Sequence, residues 1–126
     1  MNVANIITGR FDRWRSMMAK ILSRHNSYMN VDDVYKQCSS VQKLFFDNDE
    51  AFVVINVLEF PRDTHLHVLL AGGSLEGLDK LDAVIYKFGQ QIGATKATFI
   101  GRKGFAKVLA KRGWTSPHIY MEKEIL

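Results

Sequence analysis

The side chains best suited to acid–base chemistry in this sequence are two histidines, His65 and His67, with Glu59 as a third candidate. The histidines are two residues apart in a strand-like segment, so they lie on the same face of a strand. Imidazole titrates near neutral pH, which makes either ring a candidate general base. The pair could also contribute to a metal site, but the sequence around it has no Cys, His or Asp cluster that would complete one. A partly exposed strand face beside a turn is the simpler interpretation.

A second candidate site is the glycine-rich turn before the clearest predicted helix. Backbone N–H groups at the start of a helix bind phosphates, and glycines let a phosphate approach closely. The candidate cofactor-binding residues here are Leu70, Gly72, Gly73 and Ser74. The turn has no Arg or Gln, and Glu76 adds negative charge, so a sharp turn without a ligand is the alternative interpretation.

A third candidate is a basic patch near the C-terminus. The 126 residues carry a net charge of +4, distributed very unevenly. Residues 31–92 hold five basic and ten acidic side chains, whereas residues 93–126 hold seven basic and two acidic ones. Such a surface can meet an acidic partner or nucleic acid, and the alternative is a solvated helix face. The expected patch consists of Arg102, Lys103, Lys107, Lys111 and Arg112.

Several classes of protein are disfavoured by composition. No apolar run approaches the roughly 20 residues that span a bilayer, and no secretory leader is evident. The single cysteine, Cys38, cannot form a disulfide within the chain, which fits a reducing compartment. We expect it to be a small buried apolar residue. The length indicates one domain, residues 1–126.

The spacing of apolar residues predicts the elements that must position these candidates. A basic amphipathic helix is expected from Thr8 to Arg24, so that residues 1–29 pack on the domain, although a membrane-surface helix has a similar pattern. A short helix follows, with Asn30 as N-cap and an end near Ser39 and Ser40.

The remainder of the chain alternates strands and helices. A helix with Ser74 as N-cap and Gly93 at its end can cross over between parallel strands. The order α-α-β-β-β-α-β-α-β predicts a mixed α/β (α+β) domain with a mostly antiparallel sheet and helices on both faces. The predicted segments are strands Val41–Asp47, Ala51–Phe60 and His65–Ala71, helix Leu75–Ile92, strand Thr95–Ile100, a short basic helix closed by Gly113 and Trp114, and a final alternating strand ending at Ile125.

The C-terminal third carries motifs that resemble those of the GNAT acyltransferase superfamily. Ala106 to Trp114 is similar to the family's helix with an A-x-x-L-Y-x-x-x-G-F-like pattern, and Tyr120 to Glu124 is similar to its MEK-like strand end. Gly101 to Leu109, together with Leu69 to Gly73, looks closer still to small GNAT-like proteins of tailed phages and prophages. The resemblance implies a GNAT fold and, in an active member, acetyl-CoA as cofactor.

The resemblance also shows which catalytic residues are missing. The family's general acid is often a tyrosine four residues before the helix-ending glycine, and counting back from Gly113 gives Leu109. Tyr86 and Tyr120 lie elsewhere. We therefore expect a GNAT-like phage protein with a degenerate acyl-CoA site and no cofactor, acting as a virion or protein-interaction component. Its partners would be other virion proteins or a second copy, in the host cytoplasm or the virion. The alternatives are a divergent acetyl-CoA-dependent N-acetyltransferase, with His65 or His67 as base, and a weak nucleic-acid binder.

Overall fold

The computed structural model describes residues 3–24, 28–40 and 42–125, with residues 3–9 described by their backbone alone. It confirms the predicted mixed fold. The elements in chain order are α1 (Val3–Arg24), α2 (Val31–Ser39), β1 (Leu44–Asp47), β2 (Ala51–Phe60), β3 (Asp63–Gly73), α3 (Leu75–Gln91), β4 (Lys96–Phe99) and α4 (Phe105–Ala110).

The four strands form one sheet in the order β1-β2-β3-β4. β1 and β3 both pair antiparallel with β2, and β4 pairs parallel with β3. The parallel pair is made possible by α3, because parallel neighbours need a crossover connection. This confirms the predicted role of α3 as the crossover helix.

The helices cover both faces of the sheet, and β2 supplies apolar side chains to each. Phe52 and Val54 pack against α1 and α2, whereas Val53 and Ile55 pack against α3. Successive side chains of a strand point to opposite faces, so a strand covered on both sides reads as a continuous apolar run. The first five residues of β2 are accordingly all buried. Each such side chain stabilises the fold by roughly 1.5–3 kcal/mol relative to an exposed one.

The long helix α1 is held by an apolar stripe and by the acidic turn between β1 and β2. Phe11, Trp14, Met18 and Leu22 are buried in the core between α1, α2 and the sheet. Trp14 Nε1 donates to Asp47 Oδ2 at 3.1 Å, and Arg10 pairs with the other oxygen of that carboxylate at 2.7 Å. Since the stripe is buried inside the protein, α1 is a core helix. Among the described helices, none has the length and apolarity needed to cross a bilayer.

Several predicted boundaries need correction. α1 begins at Val3 rather than Thr8, β1 begins at Leu44, and Val41 lies outside the described residues. β3 extends in both directions beyond His65–Ala71, because its ladder with β2 continues as far as the pair Ala51↔Gly73. The predicted caps are confirmed: Asp33 N donates to Asn30 Oδ1 at 3.0 Å, and Gly77 N donates to Ser74 Oγ at 3.0 Å.

The prediction of a final strand was wrong. The described residues after α4 form no strand, and Ile119, Met121 and Ile125 are 83%, 79% and 96% exposed. An alternating pattern forms a strand only when a neighbouring strand accepts its backbone hydrogen bonds, and the described sheet ends at β4. The described order is therefore α-α-β-β-β-α-β-α.

Candidate functional site

The candidate site is the place where β3 and β4 stop pairing. Their ladder runs from His65↔Lys96 to Val68↔Phe99, although β3 continues to Gly73. β2 residue Val54 pairs with Leu70, and the next residue, Ile55, pairs with Val68. Leu69 is therefore an extra residue in β3, a bulge that bends and twists the strand. The pairing stops there because β4 ends at Phe99. Ligands of open α/β sheets bind in crevices beyond the carboxyl ends of parallel strands, which is where this end of the pairing lies.

His67 lies one residue before the end of the paired region. Its Nδ1 lies 2.9 Å from Thr98 Oγ1, on the neighbouring strand, while its Nε2 has no partner among the described residues. Burial lowers the pKa of His67 below its usual value, and the nearby Lys43 lowers it further. The lowered pKa favours the neutral ring, which is the form that a general base requires.

His65 belongs to a separate network at the start of the strand. Its Nε2 lies 2.9 Å from Asp63 Oδ2, and its ring packs against Phe60 with centroids 5.0 Å apart. Asp63 Oδ1 accepts hydrogen bonds from the hydroxyl of Thr95 and from Thr64 N. The bond from Thr95, followed by that from His65, holds the pKa of Asp63 below its usual range. Asp63 thus connects the β2–β3 turn to the segment before β4, and His65 is part of this hydrogen-bond network.

Glu59 is separated from His67 along the hairpin, although it lies next to Leu58, the β2 partner of His65. It lies on β2 opposite Thr64, near the turn, whereas Asn56 is the β2 residue opposite His67. At about 3.3 Å per residue, three residues place Glu59 roughly 10 Å along the strand from that pair. Of the three titratable candidates, His67 is therefore the one nearest the carboxyl end of the β3–β4 pairing. Their catalytic roles stay predictions.

The start of α3 is occupied by the protein's own side chains. β3 ends at Gly73 and α3 begins at Leu75, so one residue, Ser74, connects them. Ser74 N donates to the carbonyl oxygen of Glu50 at 2.9 Å, and Ser74 Oγ donates to the Glu50 carboxylate at 3.3 Å. Lys80 Nζ reaches the other carboxylate oxygen at 2.8 Å and, as the largest cause, lowers the pKa of Glu50. An anionic group of the chain itself therefore lies where a helix start attracts phosphate.

The two glycines of this turn are explained by close packing. A Cβ at Gly72 would lie 2.8 Å from both Met17 Sδ and the Phe52 ring. Gly73 has φ +109°, and a Cβ there would overlap the Glu50 carbonyl. Leu70, the remaining candidate of this group besides Ser74, is 4% exposed within the core. The structure thus gives each of the four residues a packing or capping role, and their cofactor-binding role stays a prediction.

The position expected for a general acid holds an apolar side chain. Leu109 lies in α4, and its carbonyl oxygen accepts from Trp114 N at 3.1 Å as the helix ends. Tyr86 is 67% exposed, and exposed Tyr120 donates to Glu122 Oε1 at 2.7 Å. That bond raises the pKa of Tyr120, which makes it a weaker acid.

The basic patch is only partly free. Arg102, Lys103, Lys107 and Lys111 are exposed, but Arg112 Nε donates to Asp79 Oδ1 at 2.8 Å. That bond raises the pKa of Arg112 and ties the end of α4 to α3. Four of the five predicted residues therefore form the accessible patch.

One further feature lies away from the end of the β3–β4 pairing. A cavity of about 510 Å³ is found where α1 meets α2, lined by Leu22, Tyr28 and Asp33 among others. In the described part of the chain, no three His, Cys, Asp or Glu side chains converge as metal ligands would.

Comparison with known proteins identifies solved structures that share this fold. No family model matches the chain, and no curated protein matches it. Solved structures do match. Glucosamine-6-phosphate N-acetyltransferase of Arabidopsis thaliana aligns with a TM-score of 0.62 and 12% identity, over 91% of this chain and 93% of its own. The wild-type Thermus thermophilus protein TTHA1254 aligns with a TM-score of 0.59 and 12% identity, over 90% of this chain and 92% of its own.

A third match includes a ligand. A Clostridium acetobutylicum protein described as a predicted acetyltransferase, solved with acetyl-CoA, has a TM-score of 0.60 and 11% identity, over 90% of this chain and 91% of its own. The chain therefore has the GNAT fold that its C-terminal motifs predict. At such low identity the likeness establishes the fold alone.

Proposed function

We propose that this chain is a GNAT-fold protein with a degenerate acyl-CoA site, which acts through its surface by binding other proteins as a phage or virion component. The observation that carries the proposal is the occupied start of α3. A one-residue connection leaves no loop to wrap a pyrophosphate, and the Glu50 carboxylate would repel one.

Two other features support a binding role. Leu109 cannot supply the proton that a departing thiolate needs. Beyond α4, Ile119, Met121 and Ile125 are strongly exposed within one short segment. Large apolar side chains that cluster on a surface mark sites of protein contact. The segment after α4 is therefore the surface through which we expect a partner to bind.

A second candidate is a divergent acetyl-CoA-dependent N-acetyltransferase. It is favoured by the position of His67 near the carboxyl end of the β3–β4 pairing, close to the Leu69 bulge, and by its Nε2, which has no partner among the described residues. In that reaction the acceptor amine attacks the thioester carbonyl and passes its proton to His67. A C–N bond forms, the C–S bond breaks, and the leaving thiolate takes a proton from water.

Calorimetry with acetyl-CoA, joined to an acyl-transfer assay over a panel of amines, separates the two. The proposal predicts no saturable heat at millimolar ligand and no transfer. Stoichiometric binding with turnover would overturn it. In that event, loss of turnover in His67→Gln but not in His65→Gln would establish the transferase, because only His67 lies near the carboxyl end of the β3–β4 pairing.

A further inference from the structure

We infer that the outer face of α4 binds the phosphate backbone of a nucleic-acid duplex. Lys107 lies in α4 and Lys111, four residues later, caps its end, so these two share one face of the helix, and Lys103 lies in the turn that leads into it, four residues before Lys107. Gly104 (φ −59°, ψ −26°) and Lys111 (φ −68°, ψ −13°) are also helical, so the helical backbone extends past both ends of α4. With a rise of about 1.5 Å per residue, neighbouring lysines are about 6 Å apart along the axis.

The charges on this face are not neutralised by the protein. Between Asp82 and Glu122 the sequence has no acidic residue. In the described part of the chain, Arg102 and the three lysines make no ion pair, whereas Arg10 and Arg13 of α1 pair with Asp47 and Asp49. Most of the described basic side chains of α1 thus form ion pairs within the protein, whereas those of α4 are available to bind an external anion.

α4 is also held in one orientation. Arg112 pairs with Asp79 of α3 at 2.8 Å and donates to the Val108 carbonyl at 3.1 Å. On the side of the helix opposite the lysines, Phe105 packs edge-on against Phe99 with centroids 5.7 Å apart. These contacts fix the lysine face outwards, so little backbone ordering is needed when it meets a ligand.

The neighbours of the lysines favour a polymer backbone over a lipid surface. The residues that flank Lys107 on the same face are Gly104 and Ala110, which have no large apolar side chain to insert between lipids. Contacts to duplex phosphates need only basic side chains and carry no sequence information. The basic face of α4 is separate from the candidate acyl-CoA site. The inference therefore holds whether or not the protein binds acetyl-CoA.

The test is fluorescence anisotropy of a labelled DNA duplex of mixed sequence between 50 and 200 mM salt. With about four phosphate contacts, log K should fall with log[salt] with a slope of roughly −3 to −4. The variant Lys103→Glu/Lys107→Glu/Lys111→Glu should bind at least about tenfold more weakly at 50 mM salt. The matched control is Lys20→Glu/Lys36→Glu/Lys87→Glu, with the same net charge on exposed positions of α1, α2 and α3, and it should stay within about twofold to threefold of the parent.

Three results would overturn the inference. One is no binding of the parent protein at 50 mM salt. Another is equal weakening in both triple variants, which would assign the effect to net charge. The last is binding to phosphatidylserine vesicles without binding to the duplex, which would assign the face to a membrane. Circular dichroism of each variant establishes that it is folded.

Discussion

Replacement of Gly72 by alanine tests whether the glycine turn exists for packing. The added Cβ would lie 2.8 Å from Met17 Sδ and from the Phe52 ring, and 3.3 Å from Ile21 Cδ1. Met17 is 38% exposed and can move aside, but Phe52 is fully buried and cannot. Overpacking of this kind costs about 1–3 kcal/mol, and the reduced entropy of the unfolded chain returns about 0.4–1 kcal/mol. We expect a net loss of about 1–2 kcal/mol in the free energy of unfolding.

The assay is thermal and urea unfolding of the variant beside the parent. The unfolding entropy is about 2.1 cal/mol/K per residue. For a chain of 126 residues, each kcal/mol lost from the free energy of unfolding therefore lowers the melting midpoint by about 4 °C. The midpoint should therefore fall by about 4–8 °C. The control is Gly104→Ala, since that glycine has a helical φ and an added Cβ would meet nothing within 4 Å. Its free energy of unfolding should rise by about 0.4–1 kcal/mol, because only the effect on the unfolded chain remains. A Gly72→Ala protein as stable as the parent would refute the packing explanation and restore the phosphate interpretation.

Two further predictions concern titratable groups. Burial raises the pKa of the Cys38 thiol to about 11, so a thiol reagent at pH 8 should leave the folded protein unmodified and react only on unfolding; rapid reaction without unfolding would contradict this. Burial lowers the pKa of His67 from its usual value of 6.5. As the pH falls below about 6.5, the unfolded chain therefore binds a proton before the folded protein does. The free energy of unfolding should decrease as the pH falls through this range. Between pH 7.5 and pH 5 the unfolding midpoint of the parent should fall, and that of His67→Gln should fall less. Identical pH profiles for the two proteins would refute this role of His67.

Local chemistry made much of the fold predictable. Asn30 and Ser74 have side chains that satisfy helix-start N–H groups, so both caps could be identified from sequence. Periodicity in the sequence predicts the apolar stripes of α1 and α3 and the continuous apolar run of β2, because it depends only on the order of the residues. The crossover from β3 to β4 follows from the length of the helix between them.

The site itself was less predictable, because its decisive contacts join distant parts of the chain. Glu50 meets Ser74, 24 residues away, only because the β1–β2 turn folds against the start of α3. Arg112 was assigned to a free patch because nothing local shows that Asp79, 33 residues earlier, would bind it. The predicted final strand failed for a related reason: alternation sets which faces a strand presents, but a neighbouring edge decides whether the strand forms.

Amide chemical shifts of ¹⁵N-labelled protein, followed as acetyl-CoA is added, test the central claim most directly. Ser74 N and Gly77 N already donate to groups of the protein, at 2.9 and 3.0 Å. If the start of α3 is filled by Glu50 and Ser74, the amides from Gly72 to Gly77 should keep their shifts at millimolar acetyl-CoA. Large, saturable shifts of these amides at stoichiometric ligand would show a working pyrophosphate site and contradict the account.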